Sequence, residues 1–448
     1  MDLREMAQAL GGEVLGPAVV FSGVSTDTRR IQGGDLFVAL EGPNFNGHGF
    51  LGEARDKRAA AALVHRAVAS DLPRVQVKDT RLGLGALAGY WRDKFSCPIV
   101  AVTGSNGKTT VKEMIGAILG REEPVLVSSG NLNNDIGLPL VLCRLRGEHR
   151  IAVLEMGMNH IGEIDYLTRI ARPRVAVITN AAPAHLEGLG TVAAVAEAKG
   201  EIFNGLEADG IAVINADDEF SPLWRRRVRE FQCITFGMEQ PATITVDGLE
   251  ATDAGSRFTL YTPAGSCDVG LSLPGRHNVM NSLAAAAAAI AVGADLGQIK
   301  AGLESIDPVS GRLQMRAGRN GSTVIDDTYN ANPRSVDAAL EVLESSAGTK
   351  ILVIGDMREL GSRSEEMHAE VGVQAKLAGV DRMLAHGTLS RHAVAAFGSG
   401  ANYFDNKDEL IEALCEYLDP RTTVLVKGSR GMRMEDVVNA ITAEGLRH

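Results

Sequence analysis

Residues 104–110 read GSNGKTT, between the apolar run PIVAVT and the helical stretch VKEMIGAIL. Glycines in such a loop remove the β-carbons that would hold a phosphate away from backbone N–H groups. Lys108 adds a point charge, and Thr109 sets a hydroxyl where a phosphate-bound Mg2+ would sit. Gly104, Ser105, Asn106, Gly107, Lys108, Thr109 and Thr110 are therefore the candidate phosphate grip. Glu155 ends the apolar run IAVLE, where a carboxylate at a strand terminus is costly unless it is used. His185 follows the run VAVIT; without a motif, a lone loop histidine is ordinarily a solvated or hydrogen-bonded residue. Asn278 and Asn281 share one face of a helical pattern, and an amide can read an adenine edge through its paired donor and acceptor. Helix capping is the competing reading of Asn278.

These groups need a scaffold that brings chain-distant residues to one edge. From Pro98 to about Asp218, β-branched runs (IVAVT, IAVLE, VAVIT, IAVIN) alternate with helical stretches, the pattern of buried parallel strands with crossover helices. Between Thr235 and Leu273, alternating segments such as ITVDGL and RFTLYT predict antiparallel hairpins appended to that sheet, and an alanine-rich helix from Asn278 closes the unit. After PVSGR the alternation restarts with TVIDD, KILVIGD, RMLAHG, ANYF and TVLVKGS, a second α/β unit of Rossmann-like type. The N-terminal stretch offers the strand LFVALEG and the loop GPNFNGHGF. The expected fold is thus α/β in three domains, 1–83, 84–309 and 310–448, in keeping with a chain of 448 residues.

A formal charge of -11 and 4% aromatic residues leave neither the basic surface nor the stacking platforms that nucleic acid requires. The five scattered cysteines form no framework, the N-terminus lacks a basic leader, and the alanine-rich run 282–292 is too short to span a bilayer. A cytoplasmic protein without membrane insertion is expected.

The shortened spacing GxxGKTT resembles the ATP loop of the Mur ligases and folylpolyglutamate synthetases, which activate a carboxylate as an acyl phosphate and couple it to an amine. GNLNNDIGLP (130–139), LEMGMNHIGEI (154–164), NAAPAHLEGLG (180–190), AKGEIF (198–203), LPGRHNVMNSLAA (273–285), DDTYNANP (326–333) and VLVKGSR (424–430) sharpen the resemblance to the Mur ligases. The similarity extends along nearly the whole chain. Within that family these motifs resemble the members whose donor is UDP-N-acetylmuramoyl-tripeptide and whose acceptor is D-alanyl-D-alanine.

The resemblance implies an ATP-dependent ligase of peptidoglycan precursor synthesis, working with two Mg2+ ions and expected as a monomer. It implies that Lys108, Glu155, His185 and Lys199 are catalytic, with Thr109, Glu155, His185 and a carbamylated Lys199 at the metals. Periodicity alone would make Lys199 a solvated helix lysine. By the same resemblance Asn278, Asn281, Arg312 and Asp327 contact ATP, while Asn330, Asn332, Lys427, Ser429 and Arg430 meet ATP and the dipeptide. Ser25, Thr26, Asp27, Arg29, Asn44, Asn46 and His48 resemble a uridine diphosphate pocket, and Asn131, Asn133 and Asn134 a muramoyl-peptide site; turn formation is the other reading of both loops. Domain closure is expected, because the ATP contacts are divided between two units.

Two alternatives follow from the same residues. One is another amide ligase, adding the third amino acid or glutamates to a folate; DDTYNANP and GNLNNDIG argue against both. The other is an ATP-sensing switch, which would need no joint placement of Glu155, His185 and Lys199.

Overall fold

The computed structural model describes residues 1–252 and 255–442. The parallel strands expected in the middle of the chain form one six-stranded sheet. Its order is Gln232–Phe236, Ile211–Asn215, Val175–Ile178, Ile99–Thr103, Ile151–Glu155, Val125–Val127. Every strand is parallel to its neighbours, and the four residues Val100, Val102, Val153 and Val177 are fully buried on one face. The order reverses around Ile99–Thr103, and the crevice beyond the carboxyl ends of strands at such a point is where open α/β sheets bind ligands. Gly104, Glu155 and the segment 179–185 all leave the sheet there.

Helices Lys108–Leu119 and Arg276–Ala291 cover one face, and the second helix buries Ala284 to Ala289 completely. Small side chains let it lie close to the sheet, which explains why an alanine run serves as core here. The expected single closing helix is followed by another, Leu296–Glu304, whose Gly302 packs so tightly that a β-carbon would lie 2.4 Å from Ile118 Cα. The antiparallel segments depart from expectation. Thr245–Thr252, Gly255–Thr262 and Gly265–Leu271 form their own three-stranded sheet, joined to the central one by a lone bridge, Phe236 with Ile244. Phe258, Leu260, Val269 and Leu271 turn one side of it into the core under the alanine helix, so its attachment is by side-chain packing.

The third unit has the strand order Gln314–Ala317, Thr323–Asp327, Thr422–Lys427, Thr349–Gly355, Arg382–His386, Ala401–Phe404, parallel except for the first. That antiparallel edge strand was not anticipated. The N-terminal unit has a two-stranded ribbon of Glu41–Gly42 with Phe45–Asn46 and a five-stranded sheet, of which the sequence suggested one strand, Asp35–Val38 within LFVALEG. The helix Thr80–Arg92 runs from this unit onto the central one, through the join expected at residue 83. Among the described residues no helix is long and apolar enough to cross a membrane.

Lys199 rides on the helix Val192–Gly200, and that helix is held by Trp224, fully buried, whose Nε1 donates to the Ala196 carbonyl at 2.9 Å. Trp224→Ala should lower stability by about 3–5 kcal/mol, read as an earlier denaturant midpoint; an unchanged midpoint would show that Trp224 does not hold this helix.

Candidate active site

The ATP-type loop is shaped by close approach. At Gly107 (φ +81) a β-carbon would meet Asn281 Oδ1 at 2.3 Å, and at Gly104 one would meet Thr179 Oγ1 at 1.8 Å. Gly107 immediately precedes the helix Lys108–Leu119, so the unpaired N–H groups of its first turn and the helix dipole favour an anion at this end. Lys108 Nζ folds back on the Gly104 and Ser105 carbonyls at 2.7 and 3.3 Å. Burial lowers its pKa, Glu155 opposes that shift, and Arg312 adds to it. Ser105 Oγ is tied to Ala182 on both sides, donating to its carbonyl at 3.1 Å and accepting its N–H at 2.9 Å. Thr110 is buried beside Thr109.

Thr109 Oγ1 donates to Glu155 Oε2 at 2.7 Å and accepts from Arg312 Nη2 at 2.8 Å; the other Glu155 oxygen accepts from Asn133 Nδ2 at 2.8 Å. A hydroxyl and a buried carboxylate side by side are hard oxygen donors suited to Mg2+. A second candidate locus lies around His185 and Lys199. Lys199 is 1% exposed, which overturns the solvated-lysine reading. Burial and the repulsion of Lys108 hold its pKa well below the usual lysine range, against a smaller pull from Asp218. A neutral amine is what carbamate formation requires, so the donor chemistry here fits a metal-bound carbamate. Burial likewise lowers the pKa of His185, which feels both Lys199 and Lys108.

The central and third units, with Arg81 and Leu82 at the start of the helix Thr80–Arg92, line one cleft of about 1260 Å³, larger than the roughly 300–1,000 Å³ typical of a single small ligand. Asn131, Asn133 and Asn134 form one wall; Asn134 Oδ1 also accepts the Gly137 N–H at 2.8 Å, just ahead of the helix Gly137–Leu142. Asn278 and Asn281 line the cleft together, Asn281 Nδ2 donating to Asn278 Oδ1 at 3.2 Å. The capping reading of Asn278 is corrected: Gly275 occupies the cap, and Asn278 lies inside the first turn, its Nδ2 donating to the Pro274 carbonyl at 2.7 Å.

From the third unit come Arg312, stacked 4.1 Å over the Tyr329 ring, and Asp327, Asn330, Asn332, Lys427, Ser429 and Arg430. Asn332 caps the helix Pro333–Glu344 and its Nδ2 donates to Asn106 Oδ1 at 2.8 Å, linking this unit to the ATP-type loop. Three of these residues are engaged within their own unit. Lys427 is buried with its ammonium on Asp327 and on the Asn330 carbonyl, Ser429 Oγ accepts the Arg358 N–H at 2.8 Å, and Arg430 pairs with Glu435 at 2.9 Å.

Ser25, Thr26, Asp27, Arg29, Asn44, Asn46 and His48 lie outside the cleft. Several serve local turns. Asp27 caps the short helix Thr28–Arg30 and pairs with Arg29, and Asn46 caps Gly47–Phe50. His48 Nε2 accepts the His65 N–H at 3.2 Å.

Sequence reasoning missed His277, although it stands inside the quoted LPGRHN motif, and Glu359, in a loop no motif covered. His277 Nδ1 is buried without a hydrogen-bond partner. Burial drives its pKa from 6.5 to about 4, with Asp327 opposing and Lys427 assisting. The folded chain thus keeps this ring neutral while the unfolded chain protonates it. Its contribution is complete above pH 6.5 and is lost as the pH falls toward 4. The melting temperature of His277→Gln should fall less steeply than wild type across that window; parallel acid limbs would contradict a buried neutral ring.

Residues 20–92, 102–289 and 311–430 match, respectively, the Mur ligase family catalytic domain, the Mur ligase middle domain and the Mur ligase glutamate ligase domain. The chain is 45% identical over 448 residues to UDP-N-acetylmuramoyl-tripeptide--D-alanyl-D-alanine ligase of Escherichia coli K12, covering 99% of each. Its fold superposes on MurF from Acinetobacter baumannii with a TM-score of 0.92 at 35% identity, covering 97% of both chains. MurF ligase from Thermotoga maritima, solved in complex with ADP, gives 0.81 at 29% identity, covering 93% of this chain and 96% of that one. With every part of the site carried on a matched segment, the chain belongs to the Mur ligase family.

Proposed function

We propose that the protein is an ATP-dependent ligase that joins D-alanyl-D-alanine to the terminal carboxylate of UDP-N-acetylmuramoyl-tripeptide, a step in making peptidoglycan precursors. The observation that carries this reading is the convergence of the ATP-type loop, the asparagine wall and the third-unit loops on one cleft. A site that only sensed ATP would not need the other two. The relatives' names supply the substrate pair.

The carboxylate oxygen attacks the γ-phosphorus of ATP, ADP leaves, and the acyl phosphate that forms is a substrate the dipeptide amine can open, losing a proton and expelling phosphate. Bringing two anions together requires positive charge more than covalent help. Lys108 and the first-turn N–H groups hold the phosphates, Arg312 approaches from the third unit, and Asn278 with Asn281 suits the adenine edge. Asp327 is assigned to the ribose. Mg2+ would supply charge neutralisation at the transferring phosphoryl; Thr109 and Glu155 would hold one ion, His185 and carbamylated Lys199 a second. Asn131, Asn133 and Asn134 hold the donor peptide, and Asn330, Asn332, Lys427, Ser429 and Arg430 shape the acceptor side.

The uridine diphosphate is assigned to Ser25, Thr26, Asp27, Arg29, Asn44, Asn46 and His48, because the N-terminal unit reaches the cleft through Arg81 and Leu82 and the donor is long enough to extend from one to the other. The units are assigned as 1–83, 84–309 and 310–448. One chain encloses the whole cleft, which supports a monomer, and five free cysteines suit the cytoplasm. The acidic balance argues against nucleic acid as a partner.

Phosphate release with a panel of amines tests the assignment: turnover should require both the muramoyl-tripeptide and D-alanyl-D-alanine, and release that ignores the amine would refute it. Lys108→Ala should lower ADP formation by about 100-fold or more while leaving the melting temperature unchanged. Lys199→Ala should be nearly inactive yet folded, and added short carboxylic acids should restore part of the rate by occupying the carbamate position. Full activity of Lys199→Ala would remove the carbamate from the mechanism.

A further inference from the structure

His185 and Glu359 meet across the boundary between the central and third units, and each has an uncommon backbone. His185 has φ +57 and Glu359 has φ +65, both in the left-handed region that costs a side-chain-bearing residue energy. Two such residues facing each other mark a contact that the surrounding structure enforces. The Glu187 N–H donates to the Glu359 carbonyl at 3.2 Å, which pins the main chains together. His185 Nδ1 lies 2.8 Å from Glu359 Oε2. That nitrogen is buried, and among the described residues no other group is placed to accept a proton from it.

A histidine that ligates a metal through one nitrogen usually donates its other N–H to a carboxylate or carbonyl, which fixes the tautomer and the ring plane. With the proton on Nδ1 and directed at Glu359, the lone pair lies on Nε2. In free imidazole side chains the proton prefers Nε2, so the arrangement must be imposed.

We propose that Glu359 is a positioning residue, supplied by the third unit, that fixes the ring and tautomer of His185 and so presents Nε2 as a metal ligand only while that unit stands against the central one. This rests on the assignment of His185 to a metal. It makes assembly of the metal site conditional on domain position: a chain with the third unit swung away holds a histidine with an unfixed ring.

The test uses the full chain with ADP and Mn2+ as the probe, free Mn2+ being read by electron paramagnetic resonance, together with the 15N spectrum of histidine-labelled, metal-free protein. Glu359→Ala should weaken Mn2+ binding about 10–100-fold, approaching the loss seen in His185→Ala, and should move the His185 proton from Nδ1 to Nε2. Glu359→Gln, whose amide oxygen still accepts the Nδ1 proton, should recover most of the affinity and the Nδ1 tautomer, a rescue that a merely structural role would not produce. Wild-type affinity and tautomer in Glu359→Ala overturn the proposal. So does a Glu359→Gln variant as weak as Glu359→Ala, because charge rather than orientation would then be at work. If His185→Ala itself binds Mn2+ like wild type, the metal assignment of His185 fails first, and that outcome is distinct from the other two.

Discussion

One hydroxyl joins the parts of this site. Thr109 Oγ1 has a single proton and two lone pairs, and the fold uses both functions: it donates to Glu155 and accepts from Arg312. Glu155 in turn takes Asn133 on its other oxygen. The ATP-type loop, the strand edge, the donor wall and the third unit therefore share one short chain of bonds. A ligand that displaces any member is felt by the rest.

The same region concentrates cations where water is scarce. The charge of Lys108 disfavours that of Lys199, Arg312 disfavours that of Lys108, and His185 feels both lysines. Burial adds to the effect for all three. In the absence of anions this is an unfavourable arrangement, since a desolvated charge is stable only with a partner. It becomes favourable once triphosphate and carboxylates enter, so the empty-site cost is converted into affinity for anionic substrates. The lowered pKa of Lys199 that results favours the neutral amine, the form a carbamate would require.

Much of this was legible in the sequence where a local rule decides the outcome. Parallel strands buried on both faces must read as continuous β-branched runs, so IVAVT, IAVLE, VAVIT and IAVIN were found with their boundaries nearly intact. The loop glycines were legible because a tight strand-to-helix loop of this pattern admits nothing larger, as Asn281 beside Gly107 and Thr179 beside Gly104 show. What failed depended on distant packing. Lys199 carries no periodic signal of burial, since the helix Val192–Gly200 is apolar nearly all round and Trp224 from another helix covers it. Asn278 could not be told from a cap because the cap itself fell on Gly275, a position fixed by the turn before it. The hairpins' own sheet was hidden because alternation reports that a strand is half-buried, not which sheet it joins. Glu359 had no signal at all, its partner being 174 residues away in the sequence.

The links between the central and third units have a common character. Asn106 with Asn332, Thr109 with Arg312, His185 with Glu359, the Glu187 N–H with the Glu359 carbonyl and Arg334 with the Ala181 carbonyl are all polar. A bond of this kind adds only about 0.5–1.5 kcal/mol net, so each polar link by itself is cheap to open. Shifting a two-state equilibrium from one side to the other takes about 5.5 kcal/mol of differential binding. ATP, whose phosphates would be held by Lys108 on one unit and Arg312 on the other, can supply that difference because it contacts both only when they meet. Polar links of this kind would leave the relative position of the two units within reach of substrate binding, as an equal number of tightly packed apolar contacts would not.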